Sequence, residues 1–575
     1  MSAELVIRGG EVIDGTGAGR RRADVGIQGG RIMRIGEIPE EGAHTIDATG
    51  KLVTPGFIDV HTHFDAQVFW DSALAPSPLH GVTTAIAGNC GFTIAPLSDD
   101  STDRDYIQHM LARVEGMPLH TLKAGVPWNW TSTAEYFERI ESAGIGINLG
   151  FMVGHSAIRR VVMGSDATRR DSTPDELAAM QDVLRTGLEA GGLGFSTSYA
   201  RTHNDDEGNM VPSRYASTHE LVELARVTGE FEGTGLAMIP QLGATFHRWA
   251  VDLMTDMSVA ARRPVNWNAM LVSAANLSDC LGKLAAGDYA RAKGGRIAAL
   301  VMPLTAAPRL TFNTGVTLDA MPDWEGPMLA PRDERLALLR DPGARAALNA
   351  KAQTSENPLR AFADWATYRI HDVVNPDNEQ FRGRVVGEIA AEEGRDAWDV
   401  LCDIAVADDL MTSFGPVAPA PTDEDWKARV AVIRDRRAVV GASDAGAHFD
   451  LLATFNYATG LLQAAVRERQ LISFEDAIHL MTQVPAELYG IRERGLLRDG
   501  WHADIVVLDP AVVATRDVVM RYDLPGNYGR LYADSDGIDH VLVNGQPIVR
   551  DGILTSHRPG VLLRSGRDTA DASMG

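Results

Sequence analysis

The chain has 575 residues, with 54 Lys and Arg against 77 Asp and Glu, a formal net charge of −23 and 45% hydrophobic residues. This apolar content, together with 23% charged residues, predicts a packed globular protein and excludes an intrinsically disordered chain. The negative charge would repel phosphate backbones and anionic lipids, so we expect neither nucleic acid nor a membrane as a partner. Three widely spaced cysteines and an N-terminus without an apolar signal segment favour a reduced, cytoplasmic protein.

Short alternating strands separated by glycine turns occupy residues 4–36 at the start of the chain. The same pattern returns near the C-terminus, where Asn544-Gly545 is a strong signal for a two-residue hairpin. We therefore expect the two chain ends, residues 1–54 and 495–565, to build one small β-sandwich domain together.

Eight apolar runs bounded by glycine alternate with helical patterns between the chain ends. The runs end at Val60, Ala87, Val153, Phe195, Ile239, Met270, Val301 and Gly441. This alternation is typical of βα units with a buried parallel sheet, so residues 55–494 are predicted to form an α/β fold, a (β/α)8 TIM barrel with its active site at the C-terminal ends of the strands. A segment at about 305–393, rich in Pro, Asp and Trp, breaks the rhythm and is predicted to be an insertion, either a lid or an interface arm.

Two helices of the predicted βα units carry start signals. Thr173 with Glu176 has the spacing of a reciprocal capping box, and Pro174 stands at the first helical position. Ser217 with Glu220 repeats the same spacing, so a second box is expected there.

The first apolar run ends in His61-Thr62-His63. Because residues i and i+2 of a strand project to the same side, both imidazoles are expected to converge on one point at the barrel rim. Imidazole is a ligand for zinc and its first-row neighbours. Such a pair by itself is common in proteins without metal, and its place at the end of the first barrel strand is what favours metal binding here.

Two further strand ends carry groups that can bind a cation. Cys90 follows the second run between glycines, where a thiolate would bind zinc strongly, although a lone cysteine is more often an inert buried residue. Asp444 follows the eighth run, and a carboxylate there can touch a metal and accept a proton from water. The alternative is that Asp444 caps a helix.

The motifs PGFIDVHTHFDA, GNCG and SDAGAH, with GLLRDGWHADIVVLD near the C-terminus, resemble the amidohydrolase superfamily. More narrowly, the pattern is similar to the N-acyl-D-amino-acid deacylase branch over nearly the whole chain. The resemblance implies a metal-dependent hydrolase that uses Zn²⁺ to cleave a carbon–nitrogen amide bond of a small molecule. It also implies that His61 and His63 ligate the cation, that Cys90 replaces the lysine carbamate of related enzymes, and that Asp444 is both ligand and proton shuttle.

The sequence departs from that branch at the ends of the fifth and sixth strands, where the branch typically has one histidine each. Here Gln241 follows the fifth strand, and Asn266 and Asn268 lie in the sixth. Because these neutral side chains are weak zinc ligands, one Zn²⁺ ion is expected rather than two. The three residues are candidates for substrate binding instead.

The branch also holds a substrate carboxylate with a lysine that the segment VNWNAM lacks. Arg159 or Arg201 could take that role through bidentate hydrogen bonds, and His155 and His448 are further candidates for substrate contact. Otherwise the substrate is another amide, a cyclic amide or an ester without a free carboxylate. A non-catalytic barrel used as a binding or assembly scaffold is the alternative outside catalysis, and in either case we expect a homo-oligomer.

Overall fold

The computed structural model of the protein describes residues 3–39, 42–305, 308–315, 317–355, 357, 359–417 and 419–574. The strands, in chain order, are β1 (Leu5–Val12), β2 (Arg21–Gln28), β3 (Arg31–Gly36), β4 (His44–Asp47), β5 (Leu52–Pro55), β6 (Phe57–Asp59), β7 (Val82–Ala87), β8 (Asn148–Phe151), β9 (Val153–Gly154), β10 (Gly194–Ser198), β11 (Gly235–Ile239), β12 (Val265–Leu271), β13 (Ile297–Met302), β14 (Leu310–Thr311), β15 (Tyr368–Asp372), β16 (Ser413–Pro416), β17 (Ala438–Val440), β18 (Ile505–Leu508), β19 (Ala514–Thr515), β20 (Val519–Leu524), β21 (Tyr528–Tyr532), β22 (Ser535–Asp536), β23 (Ile538–Val543), β24 (Gln546–Arg550) and β25 (Ile553–Leu554).

The α-helices are distributed between these strands. In chain order they are α1 (Phe64–Gln67), α2 (Ser101–Val114), α3 (Leu119–Gly125), α4 (Thr133–Ala143), α5 (His155–Met163), α6 (Pro174–Glu189), α7 (Thr218–Thr228), α8 (Arg248–Ala261), α9 (Leu277–Ala292), α10 (Glu325–Leu329), α11 (Arg332–Arg340), α12 (Pro342–Ala352), α13 (Val386–Glu393), α14 (Ala397–Ala407), α15 (Asp423–Ile433), α16 (Tyr457–Leu461), α17 (Phe474–Met481) and α18 (Gln483–Tyr489). Within the described part of the chain, no helix combines the length and the apolar character that crossing a membrane requires.

The strands in the middle of the chain pair in parallel and in sequence order. β6, β7 and β8 form a three-stranded sheet, and β9 to β13 with β17 form a six-stranded sheet. A single residue, Met152, separates β8 from β9, so the third predicted run contributes to both sheets. A parallel bridge between Thr62 and Ala445 brings the residues that follow β6 beside those that follow β17. The predicted runs are therefore strands of a mixed α/β fold.

The two predicted capping boxes have different outcomes. Thr173 and Glu176 form the complete box that starts α6, as predicted. At α7 the Ser217 hydroxyl accepts a hydrogen bond from the backbone N–H of Glu220 at 3.2 Å. The prediction was wrong for the other half of this box, because the Glu220 carboxylate turns away from the helix start and binds buried side chains described below.

Strands from both chain ends meet in one nine-stranded sheet. β1 to β5 join β18 and β23 to β25, and the antiparallel pairing of β5 with β18 connects the two ends. The predicted hairpin links β23 to β24, where Asn544 and Gly545 have φ angles of 46° and 76°. Positive φ at both turn positions is the geometry of a type I′ hairpin, which Asn-Gly adopts readily.

Residues between β13 and β17 include a unit with its own hydrophobic core, which runs from Leu310 to Phe414. β14, β16 and β15 form a three-stranded antiparallel sheet in this unit. Trp324 and Trp365 stack inside the unit, and the Trp398 ring packs against both at a tilt. α14 and β16, which lie beyond residue 393, contribute to the same core. The sequence predicted an insertion here but not this sheet.

Candidate metal centre

The two histidines that follow β6 meet as the i, i+2 spacing predicts. His61 and His63 are 0% and 1% exposed, and their ring centroids are 5.3 Å apart. Burial and, to a smaller extent, the positive charge of His61 together lower the pKa of His63 to about 3. A neutral imidazole keeps a lone pair on nitrogen, so His63 is available as a ligand.

Cys90 comes to the same point from the end of β7. Its Sγ lies 3.4 Å from Nε2 of His61 and 3.9 Å from Nε2 of His63. The chain turns sharply here, because Cys90 has a φ of 57° and Gly91 a φ of 79°. A Cβ atom on Gly91 would stand 3.1 Å from the Thr197 Cα, so glycine allows the thiol to approach the histidines.

Asp444 reaches the cluster from the loop that follows β17, the last of the central parallel strands. Its Oδ1 lies 3.2 Å from Nε2 of His61 and 3.7 Å from Nε2 of His63. Burial raises the pKa of Asp444, but the hydrogen bond and positive charge of His61 outweigh burial, so the pKa lies below its usual range. The Asp444 side chain is 28% exposed, which makes it the member of the cluster that solvent or a substrate reaches.

The donor set fits zinc in chemistry, and the four separations measured between its members fit the spacing of donors around such an ion. Nitrogen, sulfur and carboxylate oxygen are the ligands that Zn²⁺ takes in proteins. Tetrahedral bonds of about 2.0–2.3 Å separate neighbouring donor atoms by about 3.3–3.8 Å. The four separations given above run from 3.2 to 3.9 Å. The donor atoms of His61, His63 and Cys90 all lie within 4.8 Å of one another.

Glu115 is a fifth group at the cluster that the sequence analysis missed. It follows the last residue of α2, its side chain is 4% exposed, and Oε2 lies 3.5 Å from Nε2 of His63. Burial raises the pKa of Glu115 well above its usual value, and the negative charge of Asp444 raises it further. No local signal marks Glu115, since it stands 28 residues beyond the end of the second apolar run, in a helix-terminal position.

Both the backbone and the side chain of His448 contact Glu115. The His448 backbone N–H donates to the Glu115 carbonyl at 2.5 Å, and Nε2 of His448 is 4.0 Å from Oε2 of Glu115. Burial lowers the pKa of His448, and the negative charge of Asp444 acts in the opposite direction. The structure therefore places this predicted substrate-contact residue beside the cluster.

The two asparagines of β12 point inward at different depths. Asn268 donates from Nδ2 toward Nε2 of His61 at 3.1 Å, and its Nδ2 is 3.7 Å from Sγ of Cys90. Asn266 lies deeper, where Nδ2 donates to the Tyr489 hydroxyl at 3.0 Å. Asn268 thus belongs to the cluster and Asn266 to the core beneath it.

Gln241 is not brought to the cluster. Its Oε1 accepts a hydrogen bond from the His247 backbone N–H at 3.0 Å, which closes the loop after β11. The Arg201 side chain is exposed, and its backbone carbonyl accepts a hydrogen bond from Arg214.

His155 and Arg159 are both held by Glu220 in the interior. Nε2 of His155 is 2.8 Å from the Glu220 carboxylate, and Nη1 of Arg159 donates to both of its oxygens at 2.5 and 2.6 Å. All three side chains are at most 1% exposed. The guanidinium that was a candidate for a substrate carboxylate therefore already has a carboxylate partner within the protein.

Known proteins resemble this chain over nearly its whole length. The Amidohydrolase family matches residues 44–549. N-acyl-D-glutamate deacylase of Alcaligenes xylosoxydans xylosoxydans is 30% identical over 99% of this chain and 98% of its own length. D-aminoacylase of the same organism is 26% identical over 97% of each chain.

Two solved structures share the fold over nearly the whole chain. N-acyl-D-glutamate deacylase from Bordetella bronchiseptica, complexed with zinc and a phosphonate inhibitor that mimics the tetrahedral intermediate, has a TM-score of 0.66 and 27% identity, covering 98% of this chain and 100% of that one. A crystal structure of D-aminoacylase has a TM-score of 0.65 and 25% identity with the same coverage. The predicted class, a metal-dependent hydrolase of non-peptide amide bonds, is confirmed at the level of the family. The chain belongs to the amidohydrolase family and is similar over nearly its whole length to N-acyl-D-amino-acid deacylases.

Proposed function

We propose that the protein hydrolyses the amide bond of a small N-acylated molecule, most like an N-acyl-D-amino acid, with a divalent cation at the cluster described above. One observation carries the proposal. Side chains from three separate strand ends, those of His61, His63, Cys90 and Asp444, approach one another to between 3.2 and 3.9 Å. The whole-length similarity to N-acyl-D-glutamate deacylase and D-aminoacylase supports the type of bond that is cleaved.

The proposed cation is one Zn²⁺ ion held by His61, His63 and Asp444, with Cys90 as the fourth donor. One ion is favoured over two because Gln241 closes its own loop and Asn268 offers only a neutral amide. A solved structure of D-aminoacylase that is similar to this chain is concerned with the number of ions, because it reports activation by one metal and attenuation by a second. When bound, a divalent cation lowers the pKa of a water molecule and polarises the carbonyl that is attacked.

In the proposed reaction the Asp444 carboxylate accepts the proton of the attacking water. The same carboxylate then returns the proton to the departing amide nitrogen, so one group serves as base and then as acid. Its exposed fraction of 28% suits this role, because a proton shuttle must reach both the water and the substrate. His61 and His63, which are buried, orient the site and take no part in the proton transfer.

A second candidate substrate class is an amide, cyclic amide or ester without a free carboxylate. The pairing of Arg159 with Glu220 favours it, because this guanidinium is not free for a substrate. Arg201, with an exposed side chain, remains as the cation for an acidic substrate.

We further propose that the central strands close into a (β/α)8 barrel and that the chain ends form a β-sandwich, with boundaries near residues 1–54, 55–494 and 495–565 and the insertion near 305–393. A buried apolar cluster supports a closed barrel, because its members come from most of the central strands. It includes Val60, Ile86, Met152, Ala237, Leu300 and Val439. We propose a homo-oligomer in the cytoplasm; the three buried free cysteines suit a reducing compartment.

The test is elemental analysis of the purified protein, followed by hydrolysis assays before and after chelation. Substrates should include N-acyl-D- and N-acyl-L-amino acids beside uncharged amides, with the released carboxylate and ammonia measured separately. We expect about one equivalent of metal, chelator-sensitive turnover and a carboxylate product. A protein without stoichiometric metal and without turnover would instead be a scaffold, and release of ammonia from a ring would indicate deamination.

A further inference from the structure

Glu115 is a buried carboxylate that, among the residues the structure describes, has histidines but no lysine or arginine as ion-pair partner. Among the described residues, its ion-pair contacts are with His63 and His448, at 3.5 and 4.0 Å. Asp444 lies at the same histidine, with its Oδ1 3.7 Å from Nε2 of His63. Two carboxylates therefore approach one buried imidazole nitrogen, and one of them, Glu115, is itself buried.

An anion at 4% exposure is costly unless a cation or several donors compensate it. Lysine and arginine form no ion pair with Glu115 in the described part of the chain. A divalent cation near Nε2 of His63 would compensate both Glu115 and Asp444. Oε2 of Glu115 lies 3.5 Å from Nε2 of His63, which falls within the spacing of about 3.3–3.8 Å between donor atoms that share one zinc ion.

The backbone holds Glu115 in this place. α2 ends at Val114, and the Glu115 carbonyl accepts the 2.5 Å hydrogen bond from the backbone of His448. One residue before the helix end, Arg113 forms an ion pair with the buried Asp319 of the insertion. The loop after β7, the loop after β17 and the insertion therefore converge where the carboxylate faces His63.

We propose that Glu115 is a carboxylate donor to the bound cation on the His63 side of the centre. This inference rests on the proposed function, since it requires that a cation occupies the cluster. Glu115 lies at the end of a helix, whereas the other proposed donors directly follow central strands. The proposal therefore adds a ligand from a different part of the βα unit.

The test compares wild-type protein with Glu115→Gln, which keeps the shape of the side chain and removes its charge. Metal-free protein is titrated with Zn²⁺ against a chromophoric chelator, and the visible spectrum of the Co²⁺-loaded protein reports the ligand set. We expect the variant to bind Zn²⁺ about 10–100-fold more weakly, the range seen when groups that support a metal site are removed. The Co²⁺ bands should shift in position and intensity.

Asp105→Asn is the matched control, because it removes one negative charge from the exposed face of the same helix α2. Its Zn²⁺ affinity should stay within twofold of wild type. Equal weakening in both variants would overturn the proposal, since a general charge effect would then explain the loss. An unchanged affinity and Co²⁺ spectrum in Glu115→Gln would also overturn it.

A crystal structure of zinc-loaded wild-type protein tests the same point without a variant. A Glu115 oxygen about 2.0–2.2 Å from the ion is expected, and a distance beyond 3 Å would overturn the role. If the wild type bound no stoichiometric metal, the proposed function itself would fail. If it bound metal and hydrolysed amides while Glu115 stayed remote, only the present inference would fail.

Discussion

The hydroxyl of Thr314 in the insertion donates to the carboxylate of Asp450 at 2.6 Å, six residues beyond Asp444. Asp450 is 4% exposed, and burial raises its pKa, so this contact satisfies a carboxyl group inside the protein. The backbone of Arg309 donates to the carbonyl of Leu451 at 2.8 Å in the same region. The insertion is therefore attached to the segment that carries His448, next to the candidate centre.

Thr314→Val should loosen this attachment, because valine has the shape of threonine without the hydroxyl donor. Thr311 still donates to the same Asp450 oxygen at 3.2 Å, so loss of the shorter hydrogen bond is expected to cost about 1 kcal/mol of stability. Displacement of the loop should lower kcat/KM by about 10–100-fold, the order that small misplacements of reacting groups cause. Thermal unfolding and steady-state kinetics measure both, and Thr314→Ser, which keeps the hydroxyl, should restore both values. Wild-type kinetics in Thr314→Val would show that the insertion does not position the loop.

Asp444→Asn should reduce kcat by about 10²–10⁴, which corresponds to a barrier increase of about 3–5 kcal/mol, because the amide cannot accept the proton of the attacking water. Elemental analysis of the same variant must accompany the kinetics, since Asp444 is also a proposed ligand. Retained metal with lost turnover supports the proton-shuttle role. Full activity in the metal-loaded variant would contradict it.

His61→Ala should abolish stoichiometric metal binding, because His61 lies closest to both Asp444 and Cys90, at 3.2 and 3.4 Å. Zn²⁺ should then no longer raise the unfolding temperature, whereas it should do so for wild-type protein. His109→Ala is the matched control, since His109 is 37% exposed and pairs with Asp206. A zinc-dependent thermal shift that survives in His61→Ala would count against the centre.

Glu220→Gln should destabilise the protein by about 3–5 kcal/mol near neutral pH, because it leaves the buried Arg159 without its anionic partner. Burial raises the pKa of Glu220, but hydrogen bonds and charges from His155 and Arg159 outweigh burial and lower it to about 2. Because the pKa of Glu220 is lower in the folded protein than in the unfolded chain, the ionised carboxylate stabilises the fold. This stabilisation is fully present above the unfolded pKa of about 4.5 and is lost as the pH falls toward 2.

The difference in unfolding free energy between wild type and Glu220→Gln should therefore shrink between about pH 4.5 and pH 2. Denaturant unfolding at a series of pH values measures it. Glu189→Gln serves as the comparison, because Glu189 is exposed at the end of the preceding helix α6, and its difference from wild type should stay small at every pH. A difference that stayed constant with pH would show that Glu220 does not gain its stability from its charge.

The local pattern of the chain was sufficient to predict the parallel strands and the meeting of His61, His63, Cys90 and Asp444 at their ends. Apolar runs that end in His61-x-His63, Cys90 and Asp444 predict converging side chains, because strand periodicity and the shared edge of parallel strands are local and repetitive properties. The Asn544-Gly545 hairpin follows from turn chemistry in the same way. Residues that are close in the sequence are enough to determine these features.

The tertiary structure alone decided which buried charges meet. Glu115 reaches His63 from the end of a helix, Glu220 leaves its capping box for His155 and Arg159, and Thr314 binds Asp450 across more than a hundred residues. Each contact is set by how helices and loops pack, and such long-range contacts leave no periodic trace in the sequence. Leaving one partner of a buried ion pair uncompensated costs about 3–5 kcal/mol, more than the roughly 0.5–2 kcal/mol of a lost cap, so packing overrides the local signal.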